Sequence, residues 1–423
     1  MVSFEVRTVC IVACHASALV AATSWQALDA QPADADGNII AQIESAQAEG
    51  GPYSADLLDP LKNLGFLYEE RGEYQLAAAA LERARQVVRA NYGLTSLDQA
   101  PLLEQQIRSE EALGRFREVW DLEQSLLSLA KAHPEDLRTV PILRDVGDRR
   151  MDVLTRYLAG DRPPQIVLGC FYAPEPRARA DGGRCDAGSR SVLIQSIVSD
   201  AQTSYLDAIR VMLRHELYSS AELRELEMRL VASSYEHDRY DAGRQSLRRL
   251  LAYSLATPDP RSSQIEALVH LADWELLFEL DQVAALESYA RAFELLSQDD
   301  TTRASIERIF APEIPAVLPV FAPNPLASTP SATSAGYVDV AFDITRFGRS
   351  RNIEILSTST ISATATRESL VQLIARSRFR PRAVNGELAR SAPIVLRYYV
   401  DEPLPEATGP GEEPRQRGPK PAG

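Results

Sequence analysis

The pattern of apolar positions over residues 38–309 predicts a succession of helices. Apolar residues recur there at spacings of three and four, and turn residues separate the segments. The clearest unit, residues 61–84, has large apolar residues on both sides of a turn at Gly72. Small Gly65 and Ala77 would let two antiparallel helices approach closely. The pattern therefore predicts helical hairpins.

Three further segments show the same pattern: residues 103–126, where it is weaker, residues 235–250, and residues 269–292, where it is clear again. The pattern resembles the tetratricopeptide repeat, in which a helix pair buries its apolar face only by stacking on its neighbours. The spacing is uneven, and a loop insertion is predicted near residues 160–190. The resemblance implies a concave surface for a peptide or protein. A spacer or a self-association platform is the alternative interpretation.

Beyond the helices, the period of the pattern changes from helical to strict alternation. Apolar and polar residues alternate over 337–344 and again over 351–355, which predicts a β-hairpin with one buried face. A helix over residues 367–377 could cover that face. Alternation over residues 392–400 predicts a last strand. The result is a small α+β module of order ββαβ.

Five residues mark the turns and the core of this module: Gly348, Phe379, Pro381, Asn385 and Gly386. Gly348 would allow the turn of the hairpin, Phe379 would fill the core below the helix, and Pro381 would end that helix. Asn385-Gly386 permits positive φ in a second turn. The order of these motifs resembles the TonB carboxy-terminal domain.

The resemblance covers residues 337–401 and implies a way of binding. Members of that family dock by strand addition, in which the free edge of the last strand pairs with an extended segment of an outer-membrane transporter. In this chain that edge would consist of Ile394, Val395, Leu396, Arg397, Tyr398, Tyr399 and Val400. A protein or peptide partner is therefore expected, with an outer-membrane transporter as the candidate.

The charge of the module bears on that partner. Residues 337–400 contain ten arginines and five acidic residues, a net charge of +5 in a chain whose total is −14. A basic module favours an acidic partner segment or anionic lipid headgroups. The alternative is a solvated surface in a chain that uses arginine in preference to lysine.

Proline enrichment separates the module from the helices. The predicted linker, residues 310–336, contains six prolines and would extend up to ~75 Å if fully polyproline-like. Residues 402–423 are also rich in proline and glycine, and they are predicted to be disordered.

The amino terminus resembles a secretory signal. Residues 9–22 form an apolar stretch too short to cross ~30 Å of hydrocarbon, which is typical of a signal peptide. We predict that residues 1–30 are removed, which leaves no transmembrane helix and a periplasmic protein. The alternatives are a lipoprotein acylated at Cys14 and an uncleaved membrane anchor.

Export changes the interpretation of the cysteines. Removal of the signal leaves Cys170 and Cys185, which in an oxidising compartment suggest one disulfide closing the loop between them. Two free buried thiols are the alternative.

Composition and motifs exclude several classes of function. The chain has 423 residues, 45% apolar and 25% charged, which is ordinary for a folded protein. Its net negative charge argues against nucleic-acid binding. No G-x-S-x-G, P-loop, H-E-x-x-H or zinc-type cysteine spacing occurs. We therefore predict no catalytic residue, metal or cofactor, and a protein that is not an enzyme.

Three functions remain open. The preferred one is a periplasmic adaptor that docks a partner at its terminal strand. A second is an energy transducer of the TonB family with an uncleaved anchor, since such a protein must be held in the inner membrane while it pulls. The third is a repeat scaffold whose terminal module is a relic that binds nothing.

Overall fold

The computed structural model describes residues 32–158, 187–237, 239–297, 302–322, 324–327, 334–359, 364–384 and 387–401. The predicted signal peptide, Cys170 and Cys185, the Asn385-Gly386 turn and the predicted disordered tail lie outside these residues. The described chain is mainly helical with a small three-stranded sheet, which confirms the predicted fold class. It forms two compact units, residues 1–133 and 134–423.

From residue 32 onward, the first unit contains five α-helices: α1 (Pro32–Gly50), α2 (Leu58–Glu70), α3 (Tyr74–Tyr92), α4 (Ala100–Ala112) and α5 (Phe116–Ala132). The predicted hairpin of α2 and α3 turns at Gly72, whose φ of +74° favours glycine. A Cβ on Gly65 would lie 2.9 Å from carbons of Leu81, so the close approach of the two helices depends on the missing side chain.

Among its described residues, the second unit begins with seven helices: α6 (Thr139–Leu158), α7 (Ala187–Arg214), α8 (Ala221–Glu236), α9 (Tyr240–Tyr253), α10 (Pro260–Leu277), α11 (Gln282–Leu296) and α12 (Thr302–Phe310). The pairs α8–α9 and α10–α11 are the predicted hairpins. Helices α6 and α7 also pack together, with the ring of Tyr205 against Gly147 and its hydroxyl donating to Asp148 over 2.8 Å. This pair was not among the hairpins predicted from the sequence.

In the described part of the terminal module, five strands and one helix follow: β1 (Ser334–Ile344), β2 (Ser350–Thr358), α13 (Thr364–Arg376), β3 (Arg382–Val384), β4 (Glu387–Ala389) and β5 (Ile394–Asp401). The main sheet is antiparallel with the order β2-β1-β5. Strands β3 and β4 form a separate hairpin, which the sequence predicted only as a turn.

One face of the sheet forms the core of the module. Four alternate residues of β1 have no exposed surface: Val338, Val340, Phe342 and Ile344. Leu370 and Ile374 of α13 pack against them, together with fully buried Phe379. The alternation in the sequence thus faces the core as expected for a half-buried strand.

Pro381 does not end α13. The helix stops at Arg376, and the amide of Ser377 donates to the carbonyl of Leu373 over 3.0 Å. The chain leaves the helix there because residues 378–380 make main-chain hydrogen bonds to the proline-rich segment. The helix therefore ends through competition from tertiary pairing before the proline is reached.

The proline-rich segment, defined here as residues 311–327, is packed, in contrast to the extended linker predicted for it. Val317, Leu318 and Leu326 are buried among the helices and the sheet module. The amide of Leu318 donates to the carbonyl of Arg378 over 2.8 Å, and the amide of Arg380 donates to that of Ala316 over 2.9 Å. Proline density excludes regular structure, but it left these apolar side chains free to pack.

A buried ion pair fixes the module to the helices. Arg380 donates from Nε and Nη2 to the two carboxylate oxygens of Asp273 on α10, over 2.9 and 2.6 Å. The hydroxyl of Tyr289 on α11 donates to the same carboxylate over 2.6 Å. Burial alone would lower the pKa of Arg380, but the Asp273 carboxylate reverses the effect and raises it. For Tyr289, burial raises the pKa of the hydroxyl, and the charge of Asp273 raises it further.

Two more arginines of the module bind the helical part. Arg349 and Arg378 both contact the carboxylate of Glu279, in the turn between α10 and α11. Together these five charged residues and Tyr289 form what we call the joint: Asp273, Glu279, Tyr289, Arg349, Arg378 and Arg380. Three arginines of the module thus contact two carboxylates of the same chain.

We expect Arg380→Met to destabilise the protein by about 3–5 kcal/mol, because it leaves the Asp273 carboxylate buried without its cation. Arg291→Met is the matched control, since it removes one member of an exposed pair with Glu294 and should cost less than about 1 kcal/mol. Urea denaturation followed by circular dichroism measures both. Equal losses in the free energy of unfolding for the two variants would contradict a stabilising role for the ion pair of Arg380 and Asp273.

Candidate functional site

The predicted binding strand lies at the edge of the sheet. Strand β5 pairs with β1 along its length, and no described strand pairs with its other side. Its register with β1 is regular from Phe342↔Ile394 to Gly336↔Val400. An edge of this kind presents a row of main-chain donors and acceptors to a further strand.

Alternation of the main chain identifies which residues of β5 face outward. On β1, Tyr337 exchanges hydrogen bonds with Ser359 on the β2 side, whereas Ile344 bonds Ser391 on the β5 side. Even-numbered residues of β1 therefore face β5, and they stand opposite the even-numbered residues of β5. Val395 and Arg397 consequently direct their N–H and C=O groups to the outer edge.

Side chains of the predicted site alternate between the two faces. Leu396 is 7% exposed on the core side, with Ile394 and Tyr398 half-buried beside it. On the other face, Val395 is 62% exposed. The seven residues therefore lie on one strand, and residues 394–399 give it an apolar core face and a partly exposed outer face.

A row of polar side chains orders the outer face. Arg397 donates from Nε and Nη2 to the carboxylate of Asp339 on β1, over 2.7 and 2.9 Å. Ser357 on β2 donates to the same carboxylate over 2.6 Å, and the Arg397 guanidinium lies 4.1 Å from the Tyr337 ring centroid. The hydrogen bonds from Arg397 and then Ser357 lower the pKa of Asp339. The row stays ionised at neutral pH and fixes β5 next to β1.

The opposite edge of the sheet is poorly suited to strand addition. The pairing of β2 with β1 contains two register shifts, and Asn352 has a φ of +51°. Asn352 is held there by a 2.7 Å hydrogen bond to Asp343. The start of β2 is also covered, because Arg349 forms a β-bridge with Arg378. Such irregularities are a common protection of sheet edges, so β5 is the more regular of the two edges.

The remaining motif residues lie between the sheet and the helices. Gly348 has a φ of +69° in the hairpin turn, and a Cβ there would lie 2.2 Å from the carbonyl oxygen of Phe379. Pro381 is buried. Gly348 thus supplies both the turn and room for the chain that carries the joint.

Sequence reasoning missed the acidic half of the joint. Asp273 lies in α10 among buried Val269, Ala272 and Leu276. A carboxylate inside such an apolar stretch requires a buried partner, and that was the available signal. Nothing local identified Arg380, which is 107 positions away along the chain.

Comparison with known proteins yields no family. No family model matches the chain, and no curated protein matches it. Among solved structures, it is similar to BtubC (BKLC) from P. vanneervenii, with 11% identity, a TM-score of 0.34, and coverage of 72% of this chain and 98% of that one. It is also similar to nearly identical TPR-like repeats of a Podosopora anserina kinesin light chain, with 12% identity, a TM-score of 0.33, and coverage of 59% and 96%. At TM-scores this low, neither protein informs the function.

None of the described helices has the length and apolarity that a bilayer span requires. In the same part of the chain, no group of three or more His, Cys, Asp or Glu side chains could hold a metal ion.

Proline substitutions distinguish the two sides of β5. Leu396→Pro removes a donor to Val340 and a buried side chain, so we expect a loss of about 3 kcal/mol or more. Val395→Pro removes an outward N–H at an exposed position and should cost about 1 kcal/mol or less. Urea denaturation measures both variants. A reversed order would show that the strand faces the other way.

Proposed function

We propose that this protein is a periplasmic adaptor that binds an extended segment of a partner by strand addition at β5. The observation that carries the proposal is a regular edge strand whose outward groups at Val395 and Arg397 have no neighbouring strand among the described residues. Main-chain hydrogen bonds would supply affinity, and the two faces of β5 would select alternate side chains. The resemblance to the TonB carboxy-terminal domain adds the candidate partner, a periplasm-facing segment of an outer-membrane transporter.

The joint supports an adaptor in preference to a flexible tether. With Arg380 held by Asp273, the β5 edge keeps a fixed position relative to helices α6–α12. A partner segment bound at the edge would therefore be presented together with the helical scaffold. A fixed module loses less conformational entropy on binding than a mobile module would.

A second function is favoured by the same joint. The module covers the last helical hairpin, with Phe347 and Leu388 packed against its core. Repeat stacks need a capping element at each end. In this alternative, the module is a cap, and binding belongs to the repeats alone.

The proposal predicts that labelled peptides from periplasm-facing segments of outer-membrane transporters of the same organism include at least one that binds. That peptide should bind Val395→Ala as it binds the unaltered protein, because the outward N–H remains. Val395→Pro should weaken binding at least tenfold, since it removes a donor and places a ring at the edge. Fluorescence anisotropy measures the affinities.

Two outcomes contradict strand addition. One is equal binding by the alanine and proline variants, which would support the cap with binding elsewhere. The other is that no peptide in the panel binds.

The compartment is tested separately. We expect amino-terminal sequencing of the protein from fractionated cells to begin at Gln31, with the protein in the periplasmic fraction. Retention of residues 9–22 in an inner-membrane fraction would instead support the energy transducer.

A further inference from the structure

A cleft of about 430 Å³ lies where α13, the proline-rich segment and helices α8 and α10 meet. Its volume falls within the ~300–1,000 Å³ of typical small-molecule sites, which are frequent where separate structural elements meet. The cleft is distinct from the β5 edge, and the function proposed above makes no use of it.

The floor of the cleft is apolar and preformed. Leu277 of α10, Val317, Leu318 and Leu373 of α13 line it. The segment carrying Val317 and Leu318 is fixed by the main-chain bond from Leu318 to Arg378. Tyr235 forms a wall, and its ring is packed against two phenylalanine rings with centroids 5.7 and 6.0 Å away.

The rim of the cleft comes from one face of α13. Ser369, Gln372 and Arg376 stand there at helical spacing and are exposed. Leu370 and Ile374 on the other face are buried in the sheet core. The described residues provide no hydrogen-bond or ion-pair partner for the Arg376 guanidinium, so this donor remains available.

The charge of the cleft is positive. Arg376 and Arg378 line it, and none of its lining residues is acidic. The nearby acid of the joint, Glu279, is shared between Arg378 and Arg349. An anionic group would therefore meet an unmatched guanidinium at the rim.

We infer that this cleft binds a small carboxylate with an apolar body. The carboxylate would be bound by Arg376, whose planar fork matches its two oxygens, with Gln372 as a neighbouring donor. The aliphatic or aromatic body would lie on Leu277, Leu318 and Leu373. A single available guanidinium suits one negative charge better than a multiply charged phosphate, and the apolar floor excludes small inorganic anions as good ligands.

Octanoate is the probe for this site, used with the full chain in isothermal titration calorimetry. We expect saturable binding of octanoate and at least tenfold weaker binding of 1-octanol and of octylammonium. Arg376→Gln should weaken octanoate binding at least tenfold. Arg351→Gln is the matched control, because Arg351 is an exposed arginine of β2 that does not line the cleft; it should leave binding unchanged.

Three results would overturn the inference: no octanoate binding at millimolar concentration, equal binding of octylammonium, or equal effects of Arg376→Gln and Arg351→Gln. Circular dichroism melting of both variants verifies that they remain folded. Val395→Pro should bind octanoate normally, so the outcome is independent of strand addition.

Discussion

The buried pair of Arg380 and Asp273 is the constraint on which the second unit depends. Both side chains are less than 10% exposed, so each charge has lost most of its hydration. Such a pair persists only where further hydrogen bonds satisfy the remaining oxygens, and Tyr289 supplies one of them. The geometry leaves little freedom, because the guanidinium fork meets both carboxylate oxygens. The sheet module is therefore fixed on α10 and α11.

This constraint changes the meaning of the basic charge. From the sequence, the surplus of arginine was expected to serve an acidic partner, anionic lipid or a solvated surface. Arg349, Arg378 and Arg380 instead contact Glu279 and Asp273 of the same chain. The acidic partner of this part of the module is thus intramolecular. The surfaces that remain for external ligands are smaller: the β5 edge and the rim of the cleft around Arg376.

Local periodicity predicted the helices and strands, but it could not predict contacts between residues far apart in the chain. The hairpin at Gly72 and strand β1 are determined by local sequence. Both were predictable because buried apolar residues recur with the period of the helix or strand that carries them. The prediction that β5 is an edge strand came from the family resemblance. The outward direction of the N–H and C=O groups of Val395 could be assigned only from the register of β5 with β1. The packed proline-rich segment was misjudged because proline density forbids helix and sheet without forbidding burial. The joint connects residues that no local pattern relates.

Hydrogen–deuterium exchange of the Leu318 and Arg380 amides in the unaltered protein tests the central claim most directly. Both amides donate across the contact between the proline-rich segment and the module. If the module is fixed to the helices, they are protected to the same degree as the amide of Leu396 inside the sheet. Exchange of both at the rate of an unstructured peptide, with Leu396 still protected, would show a folded module on a free tether and contradict the account.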